Sequence, residues 1–355
     1  MNHFLKYLSA IALASPIFLS ADLEMRLAKI ESQTRESLTG NARGTFGAKL
    51  ADASPNVDGY GFYLSASALW YKLYEDNNGY ALITNAPSTG VASGKRSLQK
   101  SNFDWEWGFK AGLGYYFEHD FWQTGFEFSY LNTQTSDSAL ASSTQDLYIP
   151  ASLSEEFMNA DNANNVSSHD RWKVTYYNLD WRIGKDFFVS KYLSFLTEFG
   201  VKSAWLYQDR TTSWSTSNPY TQSITFSDDY QGVGPKADLV AKFWLGRNFS
   251  LAAGVDTALL FAKNKLSYHG LTYATAPTYI NFNNHTTKNH LSPYMGMNLG
   301  LAYDTNFNDD NFNFGIKVSY DQLWYYNANR MFVLDQPSSY NVYMQGLSIN
   351  LLLAF

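Results

Sequence analysis

The residues of this chain that could do chemistry recur at alternate positions and carry both signs of charge. Six bases share one parity of alternating segments: Lys110, Arg182, Lys202, Lys236, Lys242 and Lys317. Eight acids accompany them: Glu106, Glu118, Glu127, Asp180, Glu198, Asp238, Asp256 and Asp321. The same parity holds glycines such as Gly108, Gly112, Gly125, Gly184, Gly200 and Gly254, while the opposite parity is aromatic and aliphatic. Such a set supports two readings. Charges beside small residues can line a wet, weakly selective path, or acids and bases can pair across an interior and close it.

Hydrolytic chemistry would instead need His with carboxylates or Ser at one rim. The candidates are His119, His169 beside Asp170, His269, His285, His290 and the Asp228-Asp229 pair. Adjacent residues on a strand point to opposite faces, so neither sequence pair is pre-arranged for catalysis. Cysteine is absent, which removes disulfides and thiolate metal sites. Gly112-Leu113-Gly114 lies inside an alternating segment rather than before a helix, so it is no nucleotide motif. We expect no catalytic, cofactor or metal site, and a protease or lipase is the least favoured class.

The elements that must position these charges are strands. From Trp105 one parity reads Trp105, Trp107, Phe109, Ala111, Leu113, Tyr115, and after a turn at 118–120 it resumes as Trp122, Thr124, Phe126, Phe128, Tyr130. Period-2 alternation means β-strand. These strands are about twice the usual globular length of ~5–6 residues, with aromatics at both ends of the apolar face. That pattern fits a membrane-spanning strand, which needs about 9–11 residues and interfacial aromatic girdles. Charges then belong on the inner parity, because each would cost about 2–4 kcal/mol facing lipid at mid-membrane.

Composition agrees. The 26 Tyr, 25 Phe and 10 Trp exceed what a soluble domain needs. Mean hydropathy is −0.31, and no apolar run after the N-terminus approaches the ~20 residues of a spanning helix. The formal net charge of −6, without basic blocks, argues against nucleic acid as a partner.

Residues 1–21 read as a secretory signal, with Lys6 in the n-region and cleavage after Ala21, or alternatively after Ala14. Residues 22–58 read as a short periplasmic helix, with Leu23, Leu27 and Ile30 on one face, followed by a linker. Residues 59–355 read as an all-β, antiparallel up-and-down transmembrane β-barrel. Ten strands are expected, over 61–71, 105–117, 122–132, 172–185, 193–205, 232–245, 249–261, 292–303, 311–324 and 343–355. Short turns fall near 119, 190, 247 and 307, and long loops over 73–102, 133–171, 208–231, 263–290 and 325–342. Strand-like fragments at 80–83 and 223–226 allow twelve strands instead. An even count with this turn asymmetry places both termini in the periplasm and the long loops outside.

The final segment, GLSINLLLAF, alternates Leu347, Ile349, Leu351, Leu353 and ends on Phe355. It resembles the insertion signal read by the barrel assembly machinery. Taken with LEMRLAKIE, FKAGLGYYFEHDFWQTGFEFSYLNT, NLDWRIGKDFFVSKYLSFLTEFGVKSAWL and GVGPKADLVAKFWLGRNFSLAAGVDTALL, the chain resembles the Legionella-type major outer membrane protein family. Its relatives include major-porin-like proteins of Chlamydia-related bacteria. The better-known chlamydial porins are cysteine-rich and cross-linked, a role this cysteine-free chain does not share. The resemblance implies a pore-forming protein in the outer membrane of a Gram-negative-type bacterium.

The expected function is passive diffusion of ions and small solutes through a narrow lumen lined by Glu106, Lys110, Glu127, Asp180, Arg182, Glu198, Lys202, Lys236, Asp238, Lys242, Asp256, Lys317 and Asp321. The alternative is a largely closed structural or adhesin barrel acting through its long loops. Expected partners are outer-membrane lipid, the assembly machinery, small solutes or ions, and a second copy of the chain.

Overall fold

The computed structural model describes residues 61–85, 96–117, 122–142, 145–150, 165–190, 192–216, 221–246, 248–275, 278–307, 312–333 and 336–355. The signal, the 22–58 helix and linker, Glu118 and His119 lie outside the described residues. Thirteen strands form one antiparallel sheet. They are β1 (Gly61–Glu75), β2 (Gly79–Asn85), β3 (Arg96–Lys100), β4 (Trp105–Tyr116), β5 (Trp122–Leu140), β6 (Gln145–Tyr148), β7 (Asn165–Ser190), β8 (Leu193–Thr216), β9 (Thr221–Gly246), β10 (Phe249–Thr275), β11 (Thr278–Phe307), β12 (Phe312–Val333) and β13 (Gln336–Ala354).

Ten of these close a ring in the order β1-β4-β5-β7-β8-β9-β10-β11-β12-β13, with β13 pairing back onto β1. Closure leaves no edge in lipid, where an unpaired backbone group would be costly. The last residue completes the seam. Phe62 N–H donates to Phe355 O (2.7 Å) and Phe355 N–H donates to Phe62 O (2.8 Å).

The two ends of the ring differ. At one end the strands meet through short turns. The β9–β10 turn has Gly246 at φ 94° and Asn248 at φ 69°, left-handed values that these two residue types tolerate best. At the other end the strands run well past the expected boundaries. The described parts of 208–231 and 263–290, expected as loops, are the upper parts of tall hairpins β8–β9 and β10–β11. The fragment at 223–226 is likewise the start of β9 rather than an added ring strand. Pro235 falls mid-strand in β9, where the β9–β10 ladder is interrupted at Gly234 and Pro235.

The fragment at 80–83 is a strand, yet it does not enlarge the ring. Strands β3, β2 and β6 form a small sheet attached to the top of β7 through Leu147 and Asn165. This insert packs against the inner faces of β7 and β8. Phe103 lies 5.4 Å from Trp172, and Trp214 Nε1 donates to Tyr80 O (3.0 Å).

Outside the ring, apolar side chains form a continuous exposed band, including Leu64, Leu113, Phe126, Leu179, Phe199, Leu239, Leu259 and Leu299. Aromatics edge the band on both sides. Trp70 contacts Trp105 (4.9 Å) toward the tall end, and Phe62 contacts Tyr115 (4.9 Å) near the short turns. Above the band the outward parity becomes charged, with Arg171, Lys173, Asp209, Lys263 and Lys265, which marks where lipid contact ends.

Candidate functional site

Inside the ring, the alternation brings the sequence-designated charges to one chamber in its short-turn half. Its volume is about 310 Å³. All of the thirteen designated residues except Glu106 line it. Glu106 sits opposite Tyr71 at the upper end of β4 and does not line the chamber. Asp186, one residue past the expected strand end, lines it as well, and so does a set of tyrosines that charge-based reasoning overlooked.

The charges are organised as ion pairs. Asp180 accepts from Lys202 (3.1 Å) and Lys236 (2.8 Å). Lys236 also reaches Asp238 (3.1 Å) and Asp256 (3.8 Å). Arg182 lies between Glu198 (3.6 Å) and Glu127 (3.7 Å), and Gln123 donates to Glu198 (3.3 Å). Across the lumen Lys110 pairs with Asp321 (3.7 Å), which also accepts from Tyr71 and Ser319. The glycines make this crowding feasible. Gly125 and Gly200 oppose Arg182 on either side, and a Cβ would meet Tyr63 Oη at 2.2 Å or Trp181 O at 1.9 Å.

The chamber has an apolar ceiling. Leu69, Leu131, Tyr176, Tyr294 and Leu323 line its upper wall, all 8% exposed or less. Tyr176 and Tyr325 share a hydrogen bond (2.8 Å), Tyr294 packs on Tyr325 (4.7 Å), and Lys202 sits 4.2 Å over the Tyr294 ring. Above this layer Leu73, Trp172, Val174, Leu206, Leu260, Val342 and Met344 complete a dry core. Side chains of this layer and of the core above it pack together over the chamber.

The insert is locked over that core by a buried ion pair. Arg210 Nε donates to Asp170 (3.0 Å), and Arg210 Nη2 donates to Gly79 O (3.1 Å). Asp170 accepts further bonds from Ser101 and Thr212, and the guanidinium lies 4.4 Å over Trp172. Asp170 and Arg210 are 0% and 1% exposed, so every one of these bonds offsets a desolvation cost. Asp170 thus faces inward as a structural anchor, whereas its neighbour His169 faces outward onto Ser138 (3.0 Å).

A second buried polar network ties the tall half together. Asn264 donates to Asp228 (2.8 Å) and to Ala328 O (3.0 Å), Arg330 N–H donates to Asp228 (2.9 Å), and Asn329 donates to Glu75. This network lies above the apolar band, level with outward Lys265 and Asp229. Burial pushes the Asp228 carboxyl up to about 8 and Glu75 well above the usual carboxylate range. His290 Nε2 meets Asn327 O (3.0 Å). Among the described residues, none of the His candidates joins a Ser or carboxylate in a nucleophile–base–orienter set, and no group of three His, Asp or Glu could hold a metal ion.

A closed ring with an apolar, aromatic-edged exterior and a charged interior defines the class: a transmembrane β-barrel of the outer-membrane type. The chain belongs to the family described as Legionella pneumophila major outer membrane protein precursor, whose model matches residues 57–355. It is an outer-membrane protein. No curated protein matches it. Among solved structures it is similar to the outer membrane protease OmpT of Escherichia coli, at 8% identity over 83% of this chain and 97% of that one, with a TM-score of 0.43. It is also similar to OprG of Pseudomonas aeruginosa (11% identity, 87% and 98% covered, TM-score 0.28). A third is the P. putida toluene transporter TodX (10%, 88% and 92%, 0.27).

Proposed function

We propose that the protein is a narrow porin, shut in the form described here, that admits ions and small solutes through its charged lumen. The chamber is the wet part of the route, and the apolar ceiling with the packed mouth above it is the barrier. The short-turn end and both termini face the periplasm, and the tall hairpins face outward. Phe355, paired at the seam, serves the assembly machinery as the end of the insertion strand.

One observation carries this reading. The same ring fills its tall half with apolar side chains, so apolar filling is available to this fold. Its short-turn half forgoes that filling for ion pairs around a cavity of about 310 Å³. Replacing a buried ion pair by apolar side chains is often neutral or stabilising by about 1–4 kcal/mol, so a purely structural barrel gains little from the charges. A second reading, a closed barrel acting through its tall hairpins, is favoured by the ceiling itself. Neither reading gives the chain a catalytic role.

Single-channel recording in a planar bilayer separates the two. We expect rare, small steps from the wild-type barrel and far more frequent steps, scaling with bulk salt, from Leu131→Ala, which thins the ceiling. Folded barrels of both kinds that never conduct would favour the closed barrel.

A further inference from the structure

The chamber's ion pairs leave two bases without a close carboxylate at its short-turn end. Asp180, Asp238, Asp256, Glu127, Glu198 and Asp321 each have a base within 4.0 Å. Among the described residues, Lys242 and Lys317 line the same chamber with no carboxylate within that distance. Lys242 Nζ lies 5.8 Å over the Trp244 ring. Lys317 Nζ donates to Asn298 Oδ1 (2.7 Å). That bond fixes the Asn298 amide, whose oxygen is taken by Lys317 and whose nitrogen remains a donor. Asp186 lines the chamber at this end, and Asp304 follows Ala302 on the same inner face over Gly315, so the two carboxylates here balance the two lysines without approaching either within 4.0 Å.

The register keeps these donors in reach of one another. Lys242 opposes Ala252, which opposes Gly300, and Lys317 opposes Ala302 on the same inner face. Only small residues therefore separate the two lysines along the wall. Both side chains are half-buried, so their fields are only partly screened and act over several ångströms.

We propose that Lys242, Lys317 and the Asn298 amide nitrogen form a binding site for a small anion, a carboxylate- or phosphate-bearing solute, at the short-turn end of the chamber. The inference rests on the chamber being a solute route and names the class of solute that it takes. Two ammonium groups and an amide N–H₂ offer donors only, the complement of a carboxylate or phosphate edge. The other chamber bases, Lys110, Arg182, Lys202 and Lys236, are already committed to carboxylates and contribute little net field.

Fluorine NMR of trifluoroacetate with the refolded barrel in nonionic detergent tests the site without requiring conduction. We expect the wild-type protein to broaden the trifluoroacetate line and inorganic phosphate to reverse the broadening. The Lys242→Gln, Lys317→Gln double variant should bind about a hundredfold more weakly or worse, since each lost charge-assisted hydrogen bond is worth about tenfold or more. Heat-modifiable migration checks that each barrel is folded, and Lys317→Gln alone serves if the double variant fails to fold. No broadening by the wild type, or equal broadening by folded variants, would overturn the site. Phosphate-reversible binding in a barrel that never conducts would leave the site standing and remove the solute route. Conduction without binding would do the reverse.

Discussion

The two halves of this barrel are built from the same strands with opposite polarity. On β8 the short-turn half turns Phe199 and Val201 outward and Glu198 and Lys202 inward, while the tall half turns Asp209 and Thr211 outward and Leu206 and Trp214 inward. On β10, Leu251, Val255 and Phe261 face out beside inward Asp256, and further up Lys263 and Lys265 face out beside inward Leu266 and Tyr268. The switch falls where lipid gives way to water. Below it the exterior must be apolar and the interior is free to be polar. Above it the ring follows the ordinary soluble rule, packing an apolar core behind a polar surface. One ring thus carries a wet chamber and a dry stopper in series.

The comparison breaks first, and with the largest effect, at the stopper's anchor. Arg210→Ala strands the buried Asp170 carboxylate and should cost about 3–5 kcal/mol in urea unfolding of the refolded barrel. The joint change Arg210→Met with Asp170→Leu should cost less than the single one. A loss under about 1 kcal/mol for Arg210→Ala, the level of an exposed pair, would mean that the insert is not held by this pair.

A smaller contrast lies within the chamber. Lys202 is 2% exposed and shares Asp180 with Lys236, so Lys202→Met should cost about 1–3 kcal/mol. Lys242, half-buried and without a carboxylate partner among the described residues, should cost under about 1 kcal/mol as Lys242→Met. Equal losses in thermal unfolding would erase the distinction between structural and solute-facing bases.

A third contrast is the pH slope contributed by the tall half. The native Asp228 carboxyl holds its proton up to about 8, whereas an unfolded Asp releases it near ~4. Between those values the native state binds more protons, so stability should fall as pH rises through the window and level off above it. Glu75 is shifted in the same direction. Asp228→Asn should therefore remove part, not all, of the decline in unfolding midpoint between pH 5 and pH 9, and an unchanged slope would show that Asp228 does not titrate in this window.

The lipid-spanning part was legible because lipid demands uninterrupted apolar alternation, as in Trp105 to Tyr115 and Leu347 to Phe355. That signal also put the bases and acids on one inner parity, and all but Glu106 line the chamber. The tall half was hidden because its polarity is reversed. Segments such as 206–214 look like loop once Asp209, Thr211 and Ser213 are read as surface, although Leu206 and Trp214 keep strict alternation on the inner side. Arg210 in that inner series was the available clue to a buried ion pair. Packing of the insert against Trp172 and Trp214 depends on contacts distant in sequence, which no local periodicity encodes.

The most direct test uses the absence of cysteine from the chain. Single cysteines at Asn350, in the chamber wall, and at Leu206, in the dry core, can be labelled with a small charged thiosulfonate in detergent. We expect Asn350→Cys to react about a hundredfold faster or more than Leu206→Cys, whose labelling must await local opening. Equal rates at the two positions would contradict a wet chamber closed by a dry stopper.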